Sequence, residues 1–377
     1  MRVVVGCRAQ ILEAPGAVYD AIMERLTIEN PKWLENEEHG RWNGDTPRYL
    51  EFYEETRDGL TVPRGFVRQL VSIASRRGIK SEIIDRTREL SSVDFDFSGE
   101  LRPYQQAALS DILTRRFGTL SAATGSGKTV IALAAIAHRR QPALIVVHTK
   151  ELQAQWIERI NTFLGIPRDH IGCVGGGKKA RYVGAKVTVA TVQTLYKCAD
   201  GVSQHIGFLI VDECHRTPSR TFTEAVSAFD SKYMLGLSAT PWRRDKLSRL
   251  IWWYVGDKVH EVDKDALQES GDVLKADVIW RETDFEPYHD ASDEYSKMLS
   301  ELTHDAERNS LIASDVAGEA KNGSGVCLVL SDRKNHCEAI QAILGRDFGM
   351  DAEILTGDVS AKDRQVIVER LNNGGAK

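Results

Sequence analysis

No run of about 18 apolar residues occurs in the 377-residue chain, which leaves no candidate for a membrane-spanning helix. The six cysteines lie far apart and form no CxxC pair, so neither a zinc ribbon nor a disulfide framework is expected. The opening MRVVVGCRAQILEA lacks the order of a signal peptide: it reads as a strand entering a helix, with no cleavage site. Free thiols without an export signal predict a reducing cytoplasm. An excess of positive charge is missing too. Against 54 acidic side chains stand 49 Lys and Arg, a net charge of −5, so any nucleic-acid contact must come from local patches. Repeats and low-complexity tracts are also lacking. What remains is an ordinary globular balance, 42% hydrophobic and 27% charged. The length suits two or three domains of roughly 100–200 residues each.

Residues 1–97 are expected to form a small α/β accessory domain, a candidate for binding DNA. Val3, Val4 and Val5 read as a strand and Gly16–Leu26 as a helix. A polar loop, Asn30–Arg48, carries Trp33 and Trp42, and YLEFYEE reads as a strand. Pro63 and Gly65 mark a turn before a helical pattern from Gly65 to Arg77. DRTRELSSVDFDFSGE reads as a linker. Across residues 98–255 short apolar runs alternate with amphipathic helices: GTLSAAT, ALIVVHT, KVTVATV, HIGFLIVDE and YMLGLSA are the strand-like runs. That alternation predicts βαβ units and a parallel sheet covered on both faces, with ligands at the carboxyl ends of the strands. Residues 256–321 read as a charged, mostly helical connector. A further βα pattern fills residues 322–377, with a strand expected at Val326–Leu330.

Two motifs carry chemistry. Ala122-Ala123-Thr124-Gly125-Ser126-Gly127-Lys128-Thr129 lies between an apolar strand and a helix, the context a phosphate-binding loop requires. Glycines at 125 and 127 let backbone N–H groups approach phosphates, and the helix N-terminus adds its positive dipole end. Thr124, Gly125, Ser126, Gly127, Lys128 and Thr129 are therefore candidate ATP contacts. Lys128 is expected to reach the β- and γ-phosphates, and the Thr129 hydroxyl to hold Mg²⁺. The second motif, Leu209-Ile210-Val211-Asp212-Glu213-Cys214-His215, is an apolar strand ending in two carboxylates. Asp212 suits Mg²⁺, and Glu213 suits the base that orients and deprotonates a water. Cys214 and His215 have no Cys/His partners at ligand spacing. A relay role between the nucleotide and the next motif fits His215 better.

With both motifs in place, the chain resembles a superfamily-two helicase of the DEAH-like kind, here spelled Asp-Glu-Cys-His. Leu101-Arg102-Pro103-Tyr104-Gln105 resembles the adenine-reading segment, which implies base contacts from Arg102 and Gln105. His148-Thr149-Lys150-Glu151-Leu152 followed by Gln155-Trp156, Gly175-Gly176-Gly177-Lys178 and Ala190-Thr191-Val192-Gln193-Thr194 resemble elements that touch the nucleic-acid backbone, implying contacts from Thr149, Lys150, Gly176, Thr191 and Gln193. Ser238-Ala239-Thr240-Pro241 resembles the segment that couples hydrolysis to strand movement, implying coupling through Ser238 and Thr240. Trp242-Arg243-Arg244-Asp245 resembles the Arg-Glu-Asp element of XPB-type helicases, with Arg244 in place of Glu. A small amino-terminal domain with a PRGF turn resembles the XPB and phage UvsW group, whose members act on duplex or branched DNA.

The resemblance implies an α/β fold: a RecA-like P-loop NTPase sheet flanked by helices, behind a small α+β amino-terminal domain and ahead of a partial second RecA-like domain. It implies ATP and Mg²⁺ as cofactors and DNA as partner; the motor motifs leave RNA open. The family's arginine fingers lie late in the second domain, and such fingers contribute about 10³–10⁵ in rate. The chain is expected to stop before them and to be weakly active or inactive without a carboxyl-terminal half or a partner subunit. Two alternatives stand beside a DNA helicase: the motor subunit of a restriction system, and a nucleotide-gated DNA-binding module without turnover. Trp33, Trp42 and Phe66 are open to base stacking or to packing. Arg64, Arg68, Arg76, Arg77 and Lys80 are open to a phosphate-contacting face or to solvated surface.

Overall fold

The computed structural model describes residues 1–175, 184–216, 220–239, 248–269, 271, 277–292, 294–323 and 325–372. They form two compact units, Met1–Lys275 and Ala276–Lys377.

The first unit opens with strands β1 (Arg2–Val5) and β2 (Arg8–Leu12), an antiparallel pair, followed by helix α1 (Gly16–Leu26). Strand β3 (Thr27–Glu29), helix α2 (Pro31–Glu38) and strands β4 (Tyr49–Glu51), β5 (Glu54–Thr56) and β6 (Gly59–Pro63) come next. Helix α3 (Val67–Arg76) and strand β7 (Glu82–Asp85) complete this part. The sheet order is β5-β6-β2-β1-β7, and β3 pairs with β4 separately. Val3, Val5, Ala9 and Ile11 share one face by the period of two. They meet Val18, Ile22 and Leu26 of α1 and Leu70 of α3 in one buried cluster.

Three expectations for this region need correction. The loop at Asn30–Arg48 begins as a helix, because the Asn30 side-chain Oδ1 accepts the Lys32 N–H at 3.1 Å and Pro31 takes the first turn. YLEFYEE is two strands in different sheets, not one. The stretch read as a linker is fastened down: Arg88 forms a two-pronged ion pair with Asp230 at 2.9 Å, Gln141 clasps Leu90 through N–H and C=O, and Phe97 stacks on Phe163.

Beyond it lie α4 (Pro103–Leu113), β8 (Phe117–Ser121), α5 (Lys128–Arg139), β9 (Ala143–Val147), α6 (Lys150–Leu164), β10 (Gly172–Val174) and β11 (Val187–Thr191). Then come α7 (Val192–Leu195), α8 (Ala199–Ser203), β12 (Phe208–Val211), α9 (Arg220–Ser227), β13 (Tyr233–Ser238), α10 (Ser248–Val255), β14 (Lys258–Glu261) and α11 (Lys264–Glu269). The seven strands run β10-β11-β9-β12-β13-β8-β14, every pairing parallel. Along β9, Ile145 and Val147 join the cluster under α4, α5 and α6, while Leu144 and Val146 join the cluster under α7, α9 and α10. Burial on both faces is why these strands read as unbroken apolar runs. The expected domain boundary at residue 255 cuts one strand off. β14 pairs with β8, and the unit continues to Lys275.

The second unit is helical among its described residues: α12 (Tyr295–His304), α13 (Ala306–Asn322), α14 (Lys334–Phe348) and α15 (Ala361–Asn372). Asp305 caps α13 by accepting the Arg308 N–H at 2.7 Å. Ala313 and Ala317 of α13 pack against Ile340 and Leu344 of α14, so α12 and α13 belong to this unit rather than to a connector. Val326–Leu330 forms no ladder among the described residues, and Leu328 and Leu330 are exposed. Its sequence has a strand's pattern, but a strand is completed by a neighbour's N–H and C=O groups, which alternation alone does not supply.

Candidate functional site

β8 delivers the chain to the phosphate loop. The Ala122 N–H donates to the Ser238 carbonyl at 3.0 Å, tying the loop's start to the end of β13. Gly125 and Gly127 have φ of +85° and +79°, the left-handed region that glycine enters without steric cost. Space around Gly125 is open, whereas a Cβ at Gly127 would lie 2.4 Å from the Gln105 Nε2. The Ser126 hydroxyl donates to the Ala123 carbonyl at 2.7 Å, bracing the turn. The Lys128 ammonium donates to the Ala122 and Ala123 carbonyls at 2.9 and 3.2 Å. Burial pulls its pKa below the ordinary lysine value, and the charges of Glu213 and Asp212 oppose that shift. Thr129 is half-buried in the first turn of α5, and Thr124 is exposed.

Gln105, expected to read a base, is buried behind the loop. Its Oε1 accepts the Arg102 N–H at 3.0 Å, and its Nε2 donates to the Ser126 carbonyl at 3.1 Å. Tyr104 donates its hydroxyl to that same carbonyl at 3.0 Å. The segment Arg102–Gln105 therefore shapes the phosphate loop directly, which sequence reasoning did not foresee for Tyr104.

At the end of β12 the Asp212 carboxylate is held from two sides. Its Oδ1 accepts the Glu213 N–H at 2.9 Å, and its Oδ2 accepts the indole N–H of Trp156 at 2.8 Å. Glu213 has φ of +49°, an uncommon conformation for a residue with a Cβ. His215 Nδ1 lies 3.2 Å from both the Glu213 Oε2 and the Ser238 Oγ. That contact joins the carboxylate pair to the end of β13. Cys214 is fully buried, and desolvation pushes its thiol far above the usual range, which leaves it a packing residue.

On the neighbouring side of β12 the carboxyl ends of β9, β11 and β10 follow in order. Thr149 caps α6, accepting the Leu152 N–H at 3.2 Å, and Lys150 beside it is exposed. Exposed Gln193 donates to the His148 carbonyl at 3.3 Å. Thr191 is buried: its hydroxyl bonds Thr194 at 3.2 Å and abuts Gly175, whose φ is +95°. Thr191 thus supports the edge from behind. Gly176, Thr240, Arg243 and Arg244 lie outside the described residues.

The amino-terminal basic set divides. Arg64 is 2% exposed, donating to the Ser231 carbonyl at 2.9 Å and sitting over the Phe117 ring at 4.9 Å. Phe66 is buried in the core. Both belong to the joint between the amino-terminal sheet and the motor sheet, so neither faces a ligand. Arg68, Arg76 and Arg77 do face outward. With Arg25 and Arg249 they line a cavity of about 850 Å³ between α1, α3 and α10, opposite Glu24 and Asp257. Trp33 lies under the Arg48 guanidinium, while Trp42 is 92% exposed.

The residues present fit an Mg²⁺–nucleotide. Two left-handed glycines, a helix N-terminus and a lysine suit phosphates, and the Thr129 hydroxyl and Asp212 carboxylate are hard oxygen donors. No group of three or more His, Cys, Asp or Glu able to hold a metal occurs among the described residues. An ion that takes one or two protein ligands and completes its shell with phosphate and water suits such a site.

Residues 98–243 match the family described as type III restriction enzyme, res subunit. The DNA 3'-5' translocase XPB2 of Sulfurisphaera tokodaii is 37% identical over 161 residues, 43% of this chain and 35% of that protein. The DNA 3'-5' helicase XPB of Kineococcus radiotolerans is 25% identical over 302 residues, 76% of this chain and 51% of that protein. The chain thus spans about a third to a half of the length of these relatives. The crystal structure of T4 UvsW aligns with a TM-score of 0.54 at 18% identity, covering 99% of this chain and 78% of that one, a likeness of fold. The seven-stranded parallel sheet, the ordered motifs along it and these relatives together make the chain similar to superfamily-two helicases of the XPB type, with a fold like that of UvsW.

Proposed function

We propose that the chain carries the ATP-binding part of an ATP- and Mg²⁺-dependent DNA helicase or translocase acting on duplex or branched DNA. One observation carries the reading: the phosphate loop after β8, the carboxylates after β12 and Ser238 at the end of β13 meet on adjacent parallel strands, with His215 touching both Glu213 and Ser238. Backbone N–H groups from Gly125 to Thr129 would hold the phosphates, and Lys128 would leave its two carbonyls to meet them. Thr129 and Asp212 would hold Mg²⁺, which when bound neutralises charge on the phosphates. Glu213 would take the proton of the attacking water, and His215 would pass a change at Glu213 on to Ser238. Arg102 and Gln105 would contact the base as well as shaping the loop.

Thr149, Lys150 and Gln193, at the ends of β9 and β11, would contact the nucleic-acid backbone, together with Gly176, Arg243 and Arg244. Thr191 would act behind that edge, and Thr240 would join Ser238 in coupling. The arginines around the α1–α3–α10 cavity would add phosphate contacts from residues 1–97. The relatives' names give a 3'-5' direction, which we adopt for this chain. The match to a restriction subunit supports a second reading, a restriction motor, which DNA cleavage in the presence of a nuclease partner would reveal.

The test is ATP hydrolysis by this chain alone and with single-stranded, duplex and forked DNA and RNA, with Lys128→Ala as control. Stimulation by duplex or forked DNA, lost in the control, supports the proposal. Stimulation by RNA alone overturns its substrate class, and Mg²⁺-dependent ATP binding without turnover under every condition supports the nucleotide-gated module instead.

A further inference from the structure

α6 carries more than its exposed amino-terminal end. Its buried face repeats at Gln153, Trp156, Ile160 and Leu164, the spacing of one helix stripe. Two of these four are polar, and each spends its polar group on a different part of the site. The Gln153 amide donates to the Val174 and Val189 carbonyls at 3.3 and 2.9 Å, in the strands that end at Val174 and Thr191. Less than one turn further, Trp156 is 2% exposed and gives its indole N–H to the Asp212 Oδ2 at 2.8 Å. An aromatic ring is not needed there for its polarity. An aromatic of equal shape without the N–H would fill the space, and the indole is distinguished by that single donor.

We propose that Trp156 is the positioning residue for the Asp212 carboxylate, and that α6 thereby joins the nucleic-acid edge to the metal-holding end of the ATP site. With Oδ2 engaged by the indole and Oδ1 by the Glu213 N–H, the carboxylate cannot rotate, and the lone pairs left over point in fixed directions. Outer partners of this kind orient a metal's ligands, and removing one typically costs about 10–100-fold in metal affinity. Because Thr149 and Lys150 form the start of the same helix, displacement of that end by a nucleic acid would be carried to Asp212. The inference rests on Asp212 being the Mg²⁺ carboxylate, so the experiment tests both separately.

Binding of a fluorescent, non-hydrolysable ATP analogue is measured against Mg²⁺ concentration, and again in EDTA. The unaltered chain is compared with Trp156→Phe, with Trp156 replaced by benzothienylalanine (sulfur in place of the N–H at nearly equal shape), and with Asp212→Asn. The expected result is an increase of about 10-fold or more in the Mg²⁺ needed by both Trp156 variants, with EDTA binding unchanged. In ¹⁵N–¹H spectra the indole resonance that disappears in Trp156→Phe should shift when Mg²⁺–nucleotide is added, and also when duplex DNA is added. If Asp212→Asn raises the Mg²⁺ requirement and benzothienylalanine does not, the Trp156 inference fails while the site reading stands. An unchanged Mg²⁺ requirement in Asp212→Asn overturns the site reading itself. Equal losses with and without Mg²⁺ reduce Trp156 to packing. An indole resonance indifferent to DNA removes the link along α6.

Discussion

The joint between the amino-terminal sheet and the motor sheet is set by a three-residue turn, and Arg64 within it offers the sharpest test. Its guanidinium donates to the Ser231 carbonyl at 2.9 Å and to the Met234 sulfur at 3.4 Å, and it stacks over Phe117. A hydrogen bond from a charged donor is worth about 2 kcal/mol, and a desolvated cation over a ring about 2 kcal/mol. Against these, burial pushes the Arg64 pKa well below the ordinary arginine value, to about 10, which corresponds to about 3 kcal/mol of lost solvation. The favourable contacts thus exceed the cost by only about 1 kcal/mol. The rest of the side chain's worth is its stem, about 0.8 kcal/mol per buried methylene. Arg64→Met, which keeps the stem, should therefore lose about 1 kcal/mol. Arg64→Ala should lose about 3–4 kcal/mol, because the stem's place is left as a cavity.

Urea unfolding followed by tryptophan fluorescence reads both values, since Trp253 lies in the same cluster as Phe66. The pH dependence has a definite sign. Above about pH 10 the unfolded chain holds the Arg64 proton more firmly than the folded one, so the stability linked to this group rises with pH there. Below about pH 9 the difference between the parent and Arg64→Met should be flat. Gly65→Ala perturbs the joint independently, since its Cβ would fall 2.6, 2.7 and 2.8 Å from backbone atoms of Gly256, Trp253 and Trp252. None of these is a flexible side-chain end, and a cost of about 1–3 kcal/mol follows. A loss under about 1 kcal/mol in Arg64→Ala, or equal losses in Arg64→Ala and Arg64→Met, would refute the account of the joint.

The site supports three shorter predictions. Glu213→Gln should lower turnover by about 10²–10⁴-fold while leaving Mg²⁺–ATP affinity near the parent value, measured in single-turnover assays; retained turnover would remove Glu213 as the base. Gly125→Ala and Gly127→Ala should differ: both carry about 1–2 kcal/mol of left-handed strain, but only the second also collides with Gln105, so it should lose more nucleotide affinity in an equilibrium titration. His215→Ala should keep nucleotide binding and lose the stimulation of hydrolysis by DNA, because the Glu213–His215–Ser238 contact is broken; unaltered stimulation would show that coupling runs elsewhere.

What was legible in the sequence follows from how far apart the cooperating atoms are. The phosphate loop is one contiguous stretch in which glycine conformation and backbone N–H groups do the work, so residue types in order were enough. The central strands β9 and β12 were equally plain, because burial on both faces leaves them wholly apolar. The edge strands were not. Gly172–Val174 has only three residues, and Lys258–Glu261 is mostly polar because a sheet edge buries less. The Asn30-Pro31 cap was present to be read, yet the polar and aromatic residues after it looked like a loop.

Contacts between distant segments were out of reach altogether. Arg64 bonds a carbonyl 167 residues away, and Trp156 a carboxylate 56 residues away. In sequence the first looked like one more surface arginine, and the second like part of a strand-contacting motif. Polar side chains that serve the fold are disguised in this way because burial of a charge or an indole N–H is tolerable only where a partner waits, and the partner is supplied by topology. In a parallel sheet that topology is systematic: every strand ends on the same side. A helix that follows one strand can therefore reach the end of its neighbour, as α6, following β9, reaches Asp212 at the end of β12. The order β11-β9-β12 places the start of α6 between the end of β11, proposed to contact nucleic acid, and the end of β12, proposed to hold Mg²⁺, and for that reason a single helix can touch both.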